Sequence, residues 1–374
     1  MDDLTRFCCQ KPDCALYGQR HAGNLSVCGR YGRHNPIRLF YCKACKYRFS
    51  ERKGTPLFQT HLPEQKARSV LQHLSEGCGV RQTGRLVDVH PNSVVRLAKK
   101  AGQHARDAQD ELVAFSPSDP RGPVRRDVVV RGQEAKEWRS PQPGRRPQGG
   151  LVGPRRYDPQ HKLVLALVPR ARVTESVEEV VGEVKDRLDG QPPDLMTSDE
   201  YPVYETVIGT AFSQPVVAPQ ETAGPGRRPL LPQRCLDPGV TSATVRKKRQ
   251  NNGVVAFDRT VVPGTQEAVD RVLKGSVCSR TINTSFVERQ HATARGQNAR
   301  PSRRTYRFSK DWEVHESMSY FTRYRYNFCW PVRTLRARGA DGRWQQRAPA
   351  MSAGLSDHIW SMEEWLSFPV IQRI

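Results

Sequence analysis

The sequence predicts an α/β protein, and three observations carry that prediction. Between residues 161 and 199 two short apolar runs flank an amphipathic helical pattern, as in a βαβ unit. Residues 62–112 show helical periodicity broken by turn signals. Six of the ten cysteines lie in the first 45 residues, where little else is available to build a core. The expected organisation is a cysteine-rich module over 1–56 and a helical domain over 62–112. An α/β domain follows over 124–330 with an insertion at 211–280, and then a C-terminal tail over 331–374.

The cysteine module is read first. Cys42 and Cys45 are separated by two residues, so a tight turn aims both thiolates at one centre. Cys14 with Cys8 or Cys9 supplies a looser second knuckle, and Cys9 is preferred because it closes the shorter loop. The expected site is a structural Zn²⁺ held by Cys9, Cys14, Cys42 and Cys45, with Cys28, His21 and His34 as spare donors. The chain opens MDDLTRF, with no apolar leader, so a secreted disulfide framework is not expected.

In the helical segment, Ala67, Val70, Leu71 and Leu74 define one helix face, Pro63 suits its start, and Gly77 and Gly79 end it. A short helix over 80–87, a turn at 88–91 and a third helix from an Asn92 cap to about residue 101 complete a pattern resembling a helix-turn-helix. Asn92, Ser93, Arg96 and Lys99 are its candidate DNA-contacting residues.

Further on, 127–130 reads as a short strand, 161–169 as a buried strand, 174–188 as a helix and 194–197 as another strand. Together the last three imply parallel pairing through a right-handed crossover. Residues 131–156 fit no period; nine of the 26 are Gly or Pro and six are Arg. In the insertion, strands at 242–249 and 254–262 are joined by Asn251-Asn252-Gly253, a strong hairpin signal. Helices are expected over 284–300 and 310–328, the latter with Trp312, Tyr320, Phe321, Tyr324 and Phe328 on an apolar face, and a capped short helix near 361–366.

Composition narrows the class of partner. Sixty Lys and Arg against 38 Asp and Glu give a formal charge of +22 and a pI near 9.9, which favours a polyanion, above all nucleic acid. The longest central apolar run, 163–168, is far short of a membrane span, so no membrane partner is expected and the location is read as cytoplasmic and nucleoid-associated. Asp199, at the end of a strand, and Glu288, on a helix followed by Arg289, Arg295, Arg303 and Arg304, suit metal ions held over a phosphodiester.

These words form longer motifs: TSDEYPVYE at 197–205, NTSFVERQHATARGQNARPSRRTYRFSKDW at 283–312 and YNFCWPVRTL at 326–335. YCKACKYRFSERKGTPLF at 41–58 and MSAGLSDHIWSMEEW at 351–365 extend them. Together they resemble the DDE transposases of bacterial insertion sequences, most closely the IS-one family, over nearly the whole chain except 131–156. The resemblance implies an RNase H-like mixed-sheet domain and three carboxylates binding Mg²⁺. It also implies cutting and transfer of DNA strands at the terminal repeats of an element, by a homodimer on double-stranded DNA. Asp199 matches the second carboxylate and Glu288 the third. The first, in a motif like V-Q-F-D-E-K-W, has no counterpart: the strand begins at Asp127 and reaches Arg131 where Asp is expected. Asp127 lies four residues early, about 13 Å along a strand, and Glu134 and Glu137 sit in the aperiodic segment. Codons available to Gly150–Arg155, read one base later, give Asp-Trp-Trp-Asp-His-Val, the sequence expected in the family before its Tyr-Asp-Pro strand. A shifted reading frame over 131–156 with loss of the first Asp is therefore the expected origin of that segment. The expectation is a transposase-type DNA binder impaired in cleavage, with a non-catalytic remnant or a zinc-ribbon regulator as the alternatives.

Overall fold

The structure is a computed structural model, and it describes residues 4–32, 36–115, 127–131, 155–170, 173–199, 201–215, 234–251, 253–298, 300 and 311–371. For 127–131, 155, 215 and 249 it describes the backbone alone. In chain order the elements begin with β1 (Leu25–Tyr31), β2 (Ile37–Cys42), β3 (Arg48–Ser50), α1 (Glu64–Ser75), α2 (Val80–Val87) and α3 (Pro91–Leu112). Then come β4 (Asp127–Arg131), β5 (Arg155–Asp158), β6 (Leu163–Leu167), α4 (Thr174–Arg187), β7 (Leu195–Asp199) and α5 (Pro202–Ala211). Next are β8 (Ser213–Pro215), β9 (Arg234–Leu236), β10 (Ser242–Gln250), β11 (Gly253–Val261), α6 (Gln266–Gly275), α7 (Ser285–Gln297) and α8 (Trp312–Cys329). The chain closes with β12 (Ala337–Arg338), β13 (Trp344–Gln345), α9 (Pro349–Ser352) and α10 (Met362–Ser367). Among the described residues these elements form two compact units, one of 4–113 with 292–371 and one of 114–291.

The first unit starts from β1–β2–β3, an antiparallel sheet. Its core is Phe7, Leu25, Phe40 and Phe49 around buried cysteines, with Phe40 edge-on to Phe7 and to Phe49. Ala67, Val70, Leu71 and Leu74 of α1 are buried as their spacing predicts. Gly84 permits the tight turn from α2 to α3, since a Cβ there would lie 2.7 Å from the Val89 carbonyl oxygen.

Two readings of α3 are corrected. Its N-cap is His90, whose Nδ1 accepts from the Asn92 amide at 3.2 Å with Pro91 in the first turn; Asn92 is already inside the helix. The helix also runs to Leu112 rather than to about 101. Gly102 does not break it because Gly102 lies at the crossing with α8, where a Cβ would come within 2.4 Å of the Ser317 Cα. Small buried Ala101, Ala105 and Ala108 continue the same face, and the Asn327 amide donates to Gln109 Oε1 at 3.0 Å in the seam. Residues 331–371, expected as a tail, pack within this unit: Trp365 of α10 is fully buried, and the Val370 amide donates to the Gly54 carbonyl. Trp312, by contrast with the other aromatics of α8, is largely exposed.

The second unit is a six-stranded mixed sheet in the order β11-β10-β7-β4-β5-β6. β4, β7 and β10 are parallel, β5 and β6 continue from β4 as an antiparallel meander, and β11 pairs antiparallel with β10. β6 and β7 therefore flank α4 in sequence as expected but do not pair, because β4 and β5 lie between them. The 242–261 hairpin, read as part of an insertion, extends the main sheet through β10. One sheet face packs Met196 against Val177 and Val181 of α4 and Tyr204, Val207 and Ile208 of α5. The other packs Leu195, Ala243 and Val245 against Val269 of α6 and Ile282.

Arg156 of β5 breaks the pattern. It is fully buried, its guanidinium 5.7 Å from the Tyr204 ring centroid, and none of its three nitrogens has a hydrogen-bond partner among the described residues. Burial pushes its pKa down to about 10. An unpartnered buried cation costs stability wherever it stands. Arg156→Met, which keeps side-chain length without the charge, is expected to stabilise the protein by about 2 kcal/mol; urea unfolding monitored by circular dichroism checks this.

Candidate functional site

The strongest cluster is built by the first unit's loops. Cys9 and Cys14 come from the N-terminal coil, where the Gly18 amide donates to the Cys9 carbonyl. Cys42 ends β2, and the chain turns through Lys46 in the left-handed region, its amide donating to the Cys42 carbonyl at 2.9 Å. The four sulfurs lie within 4.8 Å of one another. Cys9 Sγ is 3.5 Å from Cys45 Sγ, and Cys14 Sγ is 4.0 Å from Cys42 Sγ. These separations are far beyond a disulfide bond of about 2 Å. They bracket the ~3.8 Å edge of a tetrahedron of thiolates at about 2.3 Å from a central Zn²⁺.

The surroundings differ among the sulfurs: burial pushes the Cys9 thiol up, while N–H donors reach Cys14 and Cys42. The Leu16 amide donates to Cys14 Sγ at 3.4 Å and the Asn24 side chain to Cys42 Sγ at 3.2 Å. Burial alone would raise the Cys42 thiol, but donors from the Cys45 and Ala44 backbone and from Asn24 outweigh it and bring it down to about 6. Cys8 takes another role. It is buried outside the cluster, accepts from the Gln10 amide at 3.6 Å, and burial pushes its pKa up to about 11. Cys28 is exposed and bonds the Leu39 carbonyl. The donor set fits a structural zinc, with Cys9 rather than Cys8 as the fourth ligand. His21 is outside the cluster, and His34 is outside the described residues.

The helix-turn-helix residues divide by environment. Asn92 and Arg96 are exposed one turn apart on α3, and Ser93 is half-buried beside them. Lys99 pairs with Glu313 of α8, which raises its pKa and ties its ammonium to the protein. Arg81 and Arg85 of α2 are exposed as well; sequence reading passed them over because nothing but the folded turn places α2 beside the start of α3.

In the second unit, period-2 alternation fixes which side chains share a face. Leu195 faces α6, so Asp199, four residues on, faces the same way. Asp199 pairs with Val245 of β10, and two residues along β10 Lys247 forms an ion pair with Glu288 of α7. Thr284 Oγ1 also reaches Glu288 at 3.5 Å. On the other side of α7's first turn, Lys162 Nζ stands 4.2 Å from the Phe286 ring centroid. Asp199 and Lys247, the ion-pair partner of Glu288, thus lie on one face of the sheet. On β4, Val130 pairs with Ser198, so the next register step sets position 131 beside Asp199, while Asp127 pairs with Leu195 at the far end.

This donor set does not fit a two-ion Mg²⁺ centre. Asp199 and Glu288 are two carboxylates, Glu288 is already paired with Lys247, and the register position nearest Asp199 on β4 is an arginine. Arg289 is exposed and Arg295 half-buried on α7; Arg303 and Arg304 lie outside the described residues, as do Glu134 and Glu137.

No family model, no curated protein and no solved structure matches this chain.

The zinc assignment is tested by metal analysis of the purified protein, with about one zinc per chain expected. Cys42→Ser combined with Cys45→Ser is expected to lose the metal, and Cys8→Ser and Cys28→Ser to keep it. Loss of zinc from the Cys8 variant with retention in Cys9→Ser would reverse the choice between them.

Proposed function

We propose that this chain is a DNA-binding protein of the DDE transposase type whose strand-cleaving centre lacks its first carboxylate. The observation that carries the reading is the parallel register of β4, β7 and β10. It supports the reading by setting Asp199 on the same sheet face as Lys247, which pairs with Glu288, with position 131 as the adjacent step on β4. An antiparallel β4–β5–β6 meander joined to parallel β7 and β10 is the kind of mixed sheet an RNase H-like domain calls for. The motifs around Asp199 and Glu288 supply the family; a zinc-ribbon regulator has no use for Glu288 in that setting.

Recognition of double-stranded DNA is assigned to the first unit. Exposed Asn92, Arg96, Arg81 and Arg85 would meet bases and phosphates, and the zinc module would hold the chain that precedes them. A protein of charge +22 binds duplexes with a steep salt dependence. Cleavage is a separate matter. Residues that act as one constellation lose most of their catalysis when one member goes, and a guanidinium at position 131 would oppose a cation beside Asp199. Arg156 bears on the same point: a core strand position filled by an unpartnered cation is what translation in a shifted frame delivers.

The test uses duplexes carrying the repeats that flank this protein's own gene. Specific binding is expected, weakening steeply with salt. Arg96→Ala should weaken binding by roughly 1–3 kcal/mol, whereas Lys99→Ala, whose ammonium is already paired, should cost less. With Mg²⁺ or Mn²⁺ no strand cleavage is expected. Robust cleavage that disappears in Asp127→Ala would overturn the missing-carboxylate reading, and specific binding that survives deletion of 62–107 would overturn the helix-turn-helix assignment.

A further inference from the structure

We propose that the β10–β11 hairpin carries a stacking platform for a single-stranded DNA end, built from Phe257 between Lys247 and Arg259. The proposal rests on the reading of the protein as a DNA binder and assigns that reading a substrate form.

β11 is an edge strand of the six-stranded sheet. Natural edges are usually blunted with charge or covered. This one presents Val254, Val255 and Phe257 at 43%, 60% and 49% exposure. Three exposed apolar side chains on an edge strand of the described residues offer a contact surface, and the hairpin's charge says which kind of occupant suits it. Arg246, Lys247, Lys248 and Arg249 follow one another on β10, and Arg259 stands on β11; Asp258 is the one acidic residue of 242–261. Two further copies of this surface would repel each other, so a polyanion suits it better than self-association.

The arrangement around the ring narrows the polyanion. Lys247 is directly opposite Phe257 in the antiparallel register, and Arg259 is two residues along the same face. Lys247 Nζ lies 5.8 Å and Arg259 Cζ 5.7 Å from the Phe257 ring centroid. Both cations are held in place, Lys247 by Glu288 and Arg259 by the Ile282 carbonyl at 2.8 Å. A half-exposed ring offers a base π-face something to stack on, and Arg259, whose held partner is a neutral carbonyl, offers its phosphates a cation, while Lys247, paired with Glu288, fixes the ring's surroundings. A closed duplex hides its base faces; a single strand exposes them. Position agrees. Phe257 is two strands from Asp199 and two residues further along, about 12 Å by strand spacing and rise, close enough for a frayed strand end at that edge of the sheet.

The experiment uses the full-length protein and two probes: a blunt duplex of the flanking repeat, and the same duplex with a short single-stranded overhang containing a fluorescent purine analogue. The overhang is expected to tighten Kd by at least about fivefold and to quench the analogue on stacking. Phe257→Ala should remove both effects and leave blunt-duplex binding unchanged, while Phe257→Trp should keep both. Overhang preference and quenching that survive in Phe257→Ala overturn the proposal, as does a wild-type protein that shows no preference. Sedimentation showing that Phe257→Ala splits a dimer without altering overhang binding would make β11 a contact between copies and also overturn it. A wild-type protein that binds the overhang but not the blunt repeat supports the platform while defeating the duplex-recognition reading; one that binds neither defeats both.

Discussion

Parallel pairing of β4, β7 and β10 is the constraint on which the second unit depends. Side chains alternate along a strand with a period of two, so a slip of one residue would turn every inward group outward. Leu195 and Val245 bury against α6 while Met196 buries against α4 and α5. That division leaves a single register available, and the register determines where Asp199 ends and which residue of β10 lies beyond it. Lys247 follows from Val245 by the same rule, and Glu288 follows from Lys247 through an ion pair. The polar end of this face is thus a consequence of apolar packing several residues away.

The first unit is held by a different device. Its sheet is small and its apolar side chains few, so a metal held by the four converging cysteines would do what a larger core does elsewhere. Two close approaches then join the later parts of the chain to it. Gly102 lets α3 and α8 meet backbone to backbone. Gly54, at a φ of 81°, lies so near the Val370 backbone that any Cβ would collide with it. Arg20 reinforces that junction, donating to the Pro369 carbonyl at 2.6 Å and pairing with Glu111, whose other oxygen accepts from the Ile371 amide. Residues more than 250 positions apart in sequence share one polar network there.

What the sequence revealed follows from how local each signal is. The α1 face, the 251–253 turn and the Cys42–Cys45 knuckle are encoded within a few residues, and their elements fall where periodicity and turn chemistry put them. The choice of Cys9 depended on loop length and is met by the sulfur geometry. Signals that needed a distant partner were misread. The third helix, expected to end near residue 101, continues past Gly102, which lies at the crossing with α8. Asn92 looked like a cap because His90 is an unusual one. The 242–261 hairpin looked like an insertion because its parallel partner β7 is more than forty residues earlier, and α5 and α6, in or beside Pro- and Gly-rich sequence, were not seen at all. Lys99 carried the right charge for DNA but its partner is Glu313, which no local pattern could announce.

The places where local and global requirements disagree are not spread evenly between the two units. In the first unit, α3 is capped, its seam with α8 is filled by small residues, and its exposed face keeps Asn92 and Arg96. Those features agree with one another, as features under a common constraint do. In the second unit the disagreements gather on β4 and β5. Arg156 brings into a core face a cation with no hydrogen-bond partner among the described residues, and position 131, beside Asp199 in register, is an arginine. Both belong to the one stretch of sequence without a period. The frame shift expected from the sequence, if confined to that stretch, would account for both at once. It would replace a core residue and a carboxylate by codon arithmetic alone, and it would leave the apolar registers of β6, β7 and β10 intact on either side. Ordinary divergence would have to produce both arginines independently.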